Sequence, residues 1–149
     1  MYASRSRRQP VAEFVLYGTP VPQPRPRIST RGGFAKQYTP SDHPIVEYRK
    51  GIAAMAKHAI GKRLAGRNRV RIEVWAVFQR PRSHLNSKGL PREKAPATPR
   101  PDVDNVLKAV MDAITTSGAW EDDVVSCDGR CRKRYVGAAI ESHTVVIVW

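Results

Sequence analysis

Acid is what this chain has little of. Thirteen Asp and Glu stand against 26 Lys and Arg, leaving a formal charge of +13 at pH 7 over 149 residues. A balance that positive draws polyanions, nucleic acid first among them. Cysteine is scarcer still, with only Cys127 and Cys131. Two thiols exclude a disulfide framework and a four-ligand zinc site, and they read as reduced thiols of an intracellular, cytoplasmic protein. Four apart on one strand, they would share a face yet lie too far apart to bridge. Long apolar runs are missing as well. None approaches the roughly 18 residues of a spanning helix, so no membrane partner is expected. In "MYASRSRRQPVAEFVLYG" Glu13 interrupts the apolar stretch, which does not suit a secretory signal. Internal repeats are absent, and so is the Gly-rich loop of a nucleotide site; no organic cofactor is expected.

What remains fits one α+β domain. The hydrophobic share of 41% and charged share of 26% are ordinary for a globular chain. Residues 1–10 read as a disordered basic arm and 11–149 as the folded domain. "EFVLYG" at 13–18 is a short apolar run bounded by Gly and Pro, typical of a buried strand. "TPVPQPRPRISTRGGFAKQYTP" is punctuated by Pro and Gly, hence a loop or ribbon. It carries Arg25, Arg27, Arg31 and Lys36 without an acid, with Phe34 and Tyr38 interleaved. That combination suits a surface that grips a nucleic-acid strand.

A first helix is expected from a Ser41–Asp42 cap and Pro44, with Ile45, Tyr48, Ile52, Met55 and Ala59 on one face and Gly61 as its stop. "RVRIEVWAVFQR" at 69–80 alternates as a strand does, and 81–101 is a long Pro- and Arg-rich loop. A second helix spans about Asp104 to Thr116. Two strands joined near Gly137 close the chain, with Asp128–Gly129 read as a bulge in one long strand rather than a hairpin turn. The order is β, loop, α, β, α, β, β, giving a mixed sheet with two main helices.

The few acids are unevenly spread. Asp102, Asp104, Asp112, Glu121, Asp122 and Asp123 all fall within 102–123, where Lys108 is the only base. Capping by Asp104 accounts for one of them. If the helix starts at Asp104, then Asp104, Lys108 and Asp112 form one polar stripe, with Asp102 just ahead of it. A strand packed behind the helix could bring Asp123 beside Asp102 and Asp104. Converging carboxylates raise one another's pKa unless a cation binds, and the cation suited to carboxylates plus water is Mg²⁺, with Mn²⁺ as a substitute. Lys108 would then stabilise negative charge on a phosphate, or else simply pair with Asp104 or Asp112. A basic body that holds DNA and an acidic pocket that holds metal are together the parts of a nuclease.

In "GTPVPQPRPR", "RPDVDNVLKAVMDAI" and "AWEDDVVSCDGRCRKRY", in that order and spacing, the chain resembles the RusA-type Holliday junction resolvases from about Phe14 to its C-terminus. The resemblance implies a Mg²⁺-dependent homodimer that nicks two opposing strands of a four-way DNA junction. It matches Asp102, Asp104 and Asp123 to metal-binding carboxylates, Asp122 to the other member of the acidic pair, Lys108 to an essential lysine and Arg100 to a DNA contact. Arg25, Arg27, Arg31, Lys36, Arg132 and Lys133 complete the expected DNA-contacting set. The basic arm and the 81–99 loop are particular to this chain. The rival reading is a non-catalytic basic DNA-binding or architectural protein, which leaves the acidic island without a purpose. A D-x-D transferase has little need of so much positive charge.

Overall fold

Alternation makes one strand the spine of the molecule. In the computed structural model, which describes residues 9–122 and 126–149, Val70, Ile72, Val74, Ala76 and Phe78 all turn inward from the strand Val70–Gln79 and are buried. The elements in chain order are β1 (Ala12–Tyr17), β2 (Arg27–Ser29), β3 (Lys36–Tyr38), α1 (Pro44–Ala59), β4 (Val70–Gln79), α2 (Val103–Ser117), β5 (Ser126–Val136) and β6 (His143–Val148). The main sheet runs β1-β6-β4-β5, with β4 and β5 parallel and the other neighbours antiparallel. The expected α+β domain with a mixed sheet and two helices is therefore the one observed. The Pro-rich segment folds into a small separate ribbon, β2 against β3. The basic arm expected over 1–10 falls outside the described residues as far as position 8.

Both helices lie on one face of the sheet. α1 packs on β1, α2 on β5 and β4, and the helices pack on each other. Ile45, Tyr48, Ile52 and Ala56 of α1 face Val106, Ala109, Val110, Ala113 and Ile114 of α2 across the core. Ala109 and Ala113 are fully buried; small residues there let the helices approach. Leu107 and Met111 flank the stripe at its half-buried margin.

Two helix starts differ from expectation. α1 is capped by His43, whose Nδ1 accepts from the Ile45 N–H at 3.1 Å, and not by Ser41 or Asp42. Pro44 fixes the first helical residue, so the residue before it becomes the cap. α2 begins at Val103 with Asp102 in the cap position (φ −68°, ψ 133°), and its first turn closes with the Val106 N–H donating to the Asp102 carbonyl at 3.2 Å. Asp104 thus lies within the first turn instead of capping it. At the far end Gly118 stops the helix in the left-handed region, φ 76°. β5 is one long strand, as expected, but the bulge is not at Asp128–Gly129: these pair regularly with Arg71 and Ile72, and the register slips one step earlier, between Val70–Ser126 and Arg71–Asp128. Residues 81–101 fold into a 3₁₀ turn at Arg82–His84 and a Leu85–Pro91 bridge.

Candidate metal and DNA site

The mouth of α2 presents two exposed carboxylates. Asp102 occupies the N-cap, where an Asp side chain usually accepts a backbone N–H of the first turn, yet it makes no such bond. Asp104, two residues on, is exposed too. Neither carboxylate forms a hydrogen bond or ion pair among the described residues. Their oxygens are hard donors left open to solvent at the positive end of a helix dipole, a donor set that suits a divalent cation.

Four hydrogen bonds fix that mouth in place. The Gln23 N–H, from the Pro-rich lead-in, donates to the Asn105 carbonyl at 2.9 Å. Arg49 of α1 reaches both Gln23 Oε1 and Asp112, with Nη2 to Asp112 Oδ2 at 2.9 Å. From the sheet side, Lys133 Nζ donates to the Pro101 carbonyl at 2.9 Å. Asp112 is therefore a structural anion. It also receives Lys108 Nζ at 3.6 Å, so the stripe of Asp104, Lys108 and Asp112 resolves into a Lys108–Asp112 pair with Asp104 outside it. Lys108 stays 59% exposed and free to swing. Behind Asp104, burial first and the Asp104 charge second push the Cys131 thiol up to about 11, against a smaller opposing pull from Lys133. That thiol is neutral at physiological pH.

Asp123 lies outside the described residues, and with it the expected convergence of the acidic pair on Asp102 and Asp104. Asp122 is described, exposed and five residues past Ser117, the last residue of α2. Trp120, two residues earlier, is buried, and its indole N–H donates to Thr115 Oγ1 at 2.6 Å, so it is a core residue rather than a base-stacking one. Fifteen helical residues span about 22 Å. The sheet gives the same measure: Lys133 touches Pro101, whereas Ser126 pairs with Val70 seven residues earlier on β5, about 23 Å away. Among the described residues no three His, Cys, Asp or Glu side chains gather closely enough to hold a metal ion.

The basic residues divide between three surfaces. Arg100 and Lys133 flank the mouth of α2. Arg25, Arg27, Arg31 and Lys36 lie on or beside the β2–β3 ribbon, all exposed. Arg132, though adjacent to Lys133, points to the face of the sheet away from the helices, its guanidinium 5.0 Å from the Trp75 ring and 3.9 Å from Glu73. Strand alternation separates the two neighbours. Gln23 and Asn105 stand inside the quoted motifs without a role assigned from sequence, and Arg49 differs from any surface arginine only through its distant partners Gln23 and Asp112.

Comparison with known proteins follows the same residues. The family model described as Endodeoxyribonuclease RusA matches residues 17–144. A curated relative from Bacillus subtilis (strain 168), "Uncharacterized protein YqaN", is 31% identical over 128 residues, covering 83% of this chain and 87% of that protein. The match takes in the Pro-rich segment, the mouth of α2 and the acidic pair. No helix among the described residues is long and apolar enough to cross a membrane.

Proposed function

The chain belongs to the RusA endodeoxyribonuclease family, and from that premise we propose a Mg²⁺-dependent nuclease that resolves four-way DNA junctions by paired symmetric nicks as a homodimer. The observation that carries this reading is the pair of open carboxylates, Asp102 and Asp104, at a helix mouth whose cap position forgoes its own cap bond. Carboxylates facing DNA without a cation would weaken binding, so a basic protein has no use for them unless a cation intervenes. Bound Mg²⁺ or Mn²⁺ supplies Lewis-acid polarisation of a phosphoryl oxygen and activates water there. Asp102 and Asp104 offer the oxygens, with Asp123 and Asp122 completing the set. Lys108, leaving Asp112, places its ammonium against charge developing on the phosphate. Arg100 and Lys133 hold the backbone beside the scissile bond.

A homodimer also lets one site draw on two copies of the chain. If each copy brings its acidic segment to the mouth of α2 in the other, one two-fold axis builds two identical sites and sets them on symmetry-related strands. The four-way junction has the matching symmetry. Incubation with a synthetic four-way junction and a matched linear duplex, in Mg²⁺ and in EDTA, tests the whole reading. Paired symmetric nicks on the junction alone, only with metal, are expected. Tight binding without cleavage under every metal condition would make this an architectural DNA-binding protein instead.

A further inference from the structure

We propose that the β2–β3 ribbon is a wedge that senses the branch point: Phe34 at its tip stacks on a base left unstacked there, while Arg27, Arg31 and Lys36 hold the neighbouring phosphates. This rests on branched DNA being the substrate and adds how the protein would tell it from linear duplex.

Exposure comes first. Phe34 is 78% exposed, Ile28 68% and Tyr38 47%, and every residue from Thr30 to Tyr38 faces solvent. β2 and β3 pack chiefly on each other. A ribbon that serves only as a connection does not need an aromatic ring at its tip; one that meets the π-face of a base does.

Charge identifies the occupant. Between Glu13 and Asp42 the chain has no acid, and none of Arg25, Arg27, Arg31 and Lys36 has an ion pair among the described residues. The sheet's arginines differ: Arg71, Arg130 and Arg132 are engaged by Glu73 and Asp128. Unneutralised cations around an exposed ring complement phosphates around a base. They oppose a second copy of the same ribbon, which would bring like charges together.

Geometry presents the ring in advance. Gly32 and Gly33, at φ 90° and 82°, make the turn that a side chain would strain, and the Gly33 N–H donates to the Thr30 carbonyl at 3.2 Å. Phe34 follows directly. The ribbon's base is tethered at the site: Gln23 bonds to Asn105 in the first turn of α2, and Arg27 follows Gln23 by four positions, at most about 14 Å of chain. Inside a linear duplex each base is stacked on both faces; at a branch a base can lose one neighbour. Phe34 therefore contributes selectivity, whereas the cations contribute affinity for any DNA.

Full-length protein in EDTA is titrated with a four-way junction carrying 2-aminopurine at the branch and with matched linear duplex. Parent, Phe34→Ala, Phe34→Trp and Lys36→Ala are compared, with sedimentation mass recorded for each. Phe34→Ala is expected to weaken junction binding about 10-fold, leave duplex binding within about twofold and abolish the 2-aminopurine quench. Phe34→Trp keeps all three properties, and Lys36→Ala weakens both DNAs alike. Equal effects of Phe34→Ala on junction and duplex, or none on either, overturn the wedge, as does a change in its sedimentation mass, which would assign Phe34 to a subunit contact. A parent protein with no preference for the junction refutes the substrate reading itself, and the wedge with it.

Discussion

Arg49 and Asp112 meet across the α1–α2 interface with Nη2 and Oδ2 2.9 Å apart, each side chain about one-third exposed. The same guanidinium holds Gln23, so one cation ties both helices to the segment that leads into the ribbon. Arg49→Ala is expected to cost about 1–2 kcal/mol, more than a surface pair, because Asp112 is left half-buried. Arg49→Lys is expected to recover only part of that, since an ammonium lacks the planar fork that serves two acceptors. Urea unfolding of both variants checks the ranking.

Asp102→Asn should separate chemistry from stability. Because the carboxylate makes no cap bond, its loss is expected to move unfolding by no more than about 0.5 kcal/mol. Cleavage of a four-way junction should fall at least about 100-fold, while binding stays or tightens. Loss of fold together with activity would show the residue to be a cap after all.

Lys108→Ala makes a second such separation. Its pair with Asp112 is 3.6 Å long and its side chain 59% exposed, so about 0.5 kcal/mol or less should go with it. Under the proposed mechanism the cleavage rate collapses and junction affinity changes little.

Mixing two inactive variants tests the two-chain site. When Asp102→Asn and Asp123→Asn proteins are refolded together, a site shared between copies gives mixed dimers one intact centre and restores single-strand nicking. A site contained within each chain gives none. Nicking assays on the mixture and on each variant alone distinguish the two.

Alkaline pH should act through Tyr48. Burial pushes its phenol up from 10.0 to about 12, partly offset by its hydrogen bond with Thr144, Oη to Oγ1 at 2.8 Å. A raised acid pKa means the folded state favours the neutral phenol. That stabilisation is complete below pH 10 and disappears as pH rises toward 12, by up to about 1.4 kcal/mol per pH unit. Tyr48→Phe should flatten this limb of the stability–pH curve. At pH 7 it should cost about 1 kcal/mol, because Thr144, fully buried, loses its partner. Adding Thr144→Val should recover most of that cost.

Periodicity made the core legible. The alternation over 69–80 shows as burial of Val70, Ile72, Val74, Ala76 and Phe78, and the α1 face is right at Ile45, Tyr48 and Ile52. Helix starts were less so, because Ser41, Asp42 and Asp104 are all good caps in isolation, and the choice falls to Pro44 and to the Asp102–Val106 hydrogen bond. Asp102 and Asp104 stood out by charge against a basic background. The clamp made by Gln23, Arg49 and Asp112 did not, because its members are distant in sequence and become a unit only once α1 lies on α2.

β4 and β5 are parallel neighbours, yet the long loop, α2 and the acidic segment all lie between them in the chain. The helix bearing Asp102 and Asp104 is thus the crossover that lets those strands pair. Closing so long a connection delays strand pairing during folding. The Lys133–Pro101 contact then forms only after β5 has docked, so the mouth of α2 is among the last parts of the molecule to take its shape, and refolding should restore nuclease activity later than helix content.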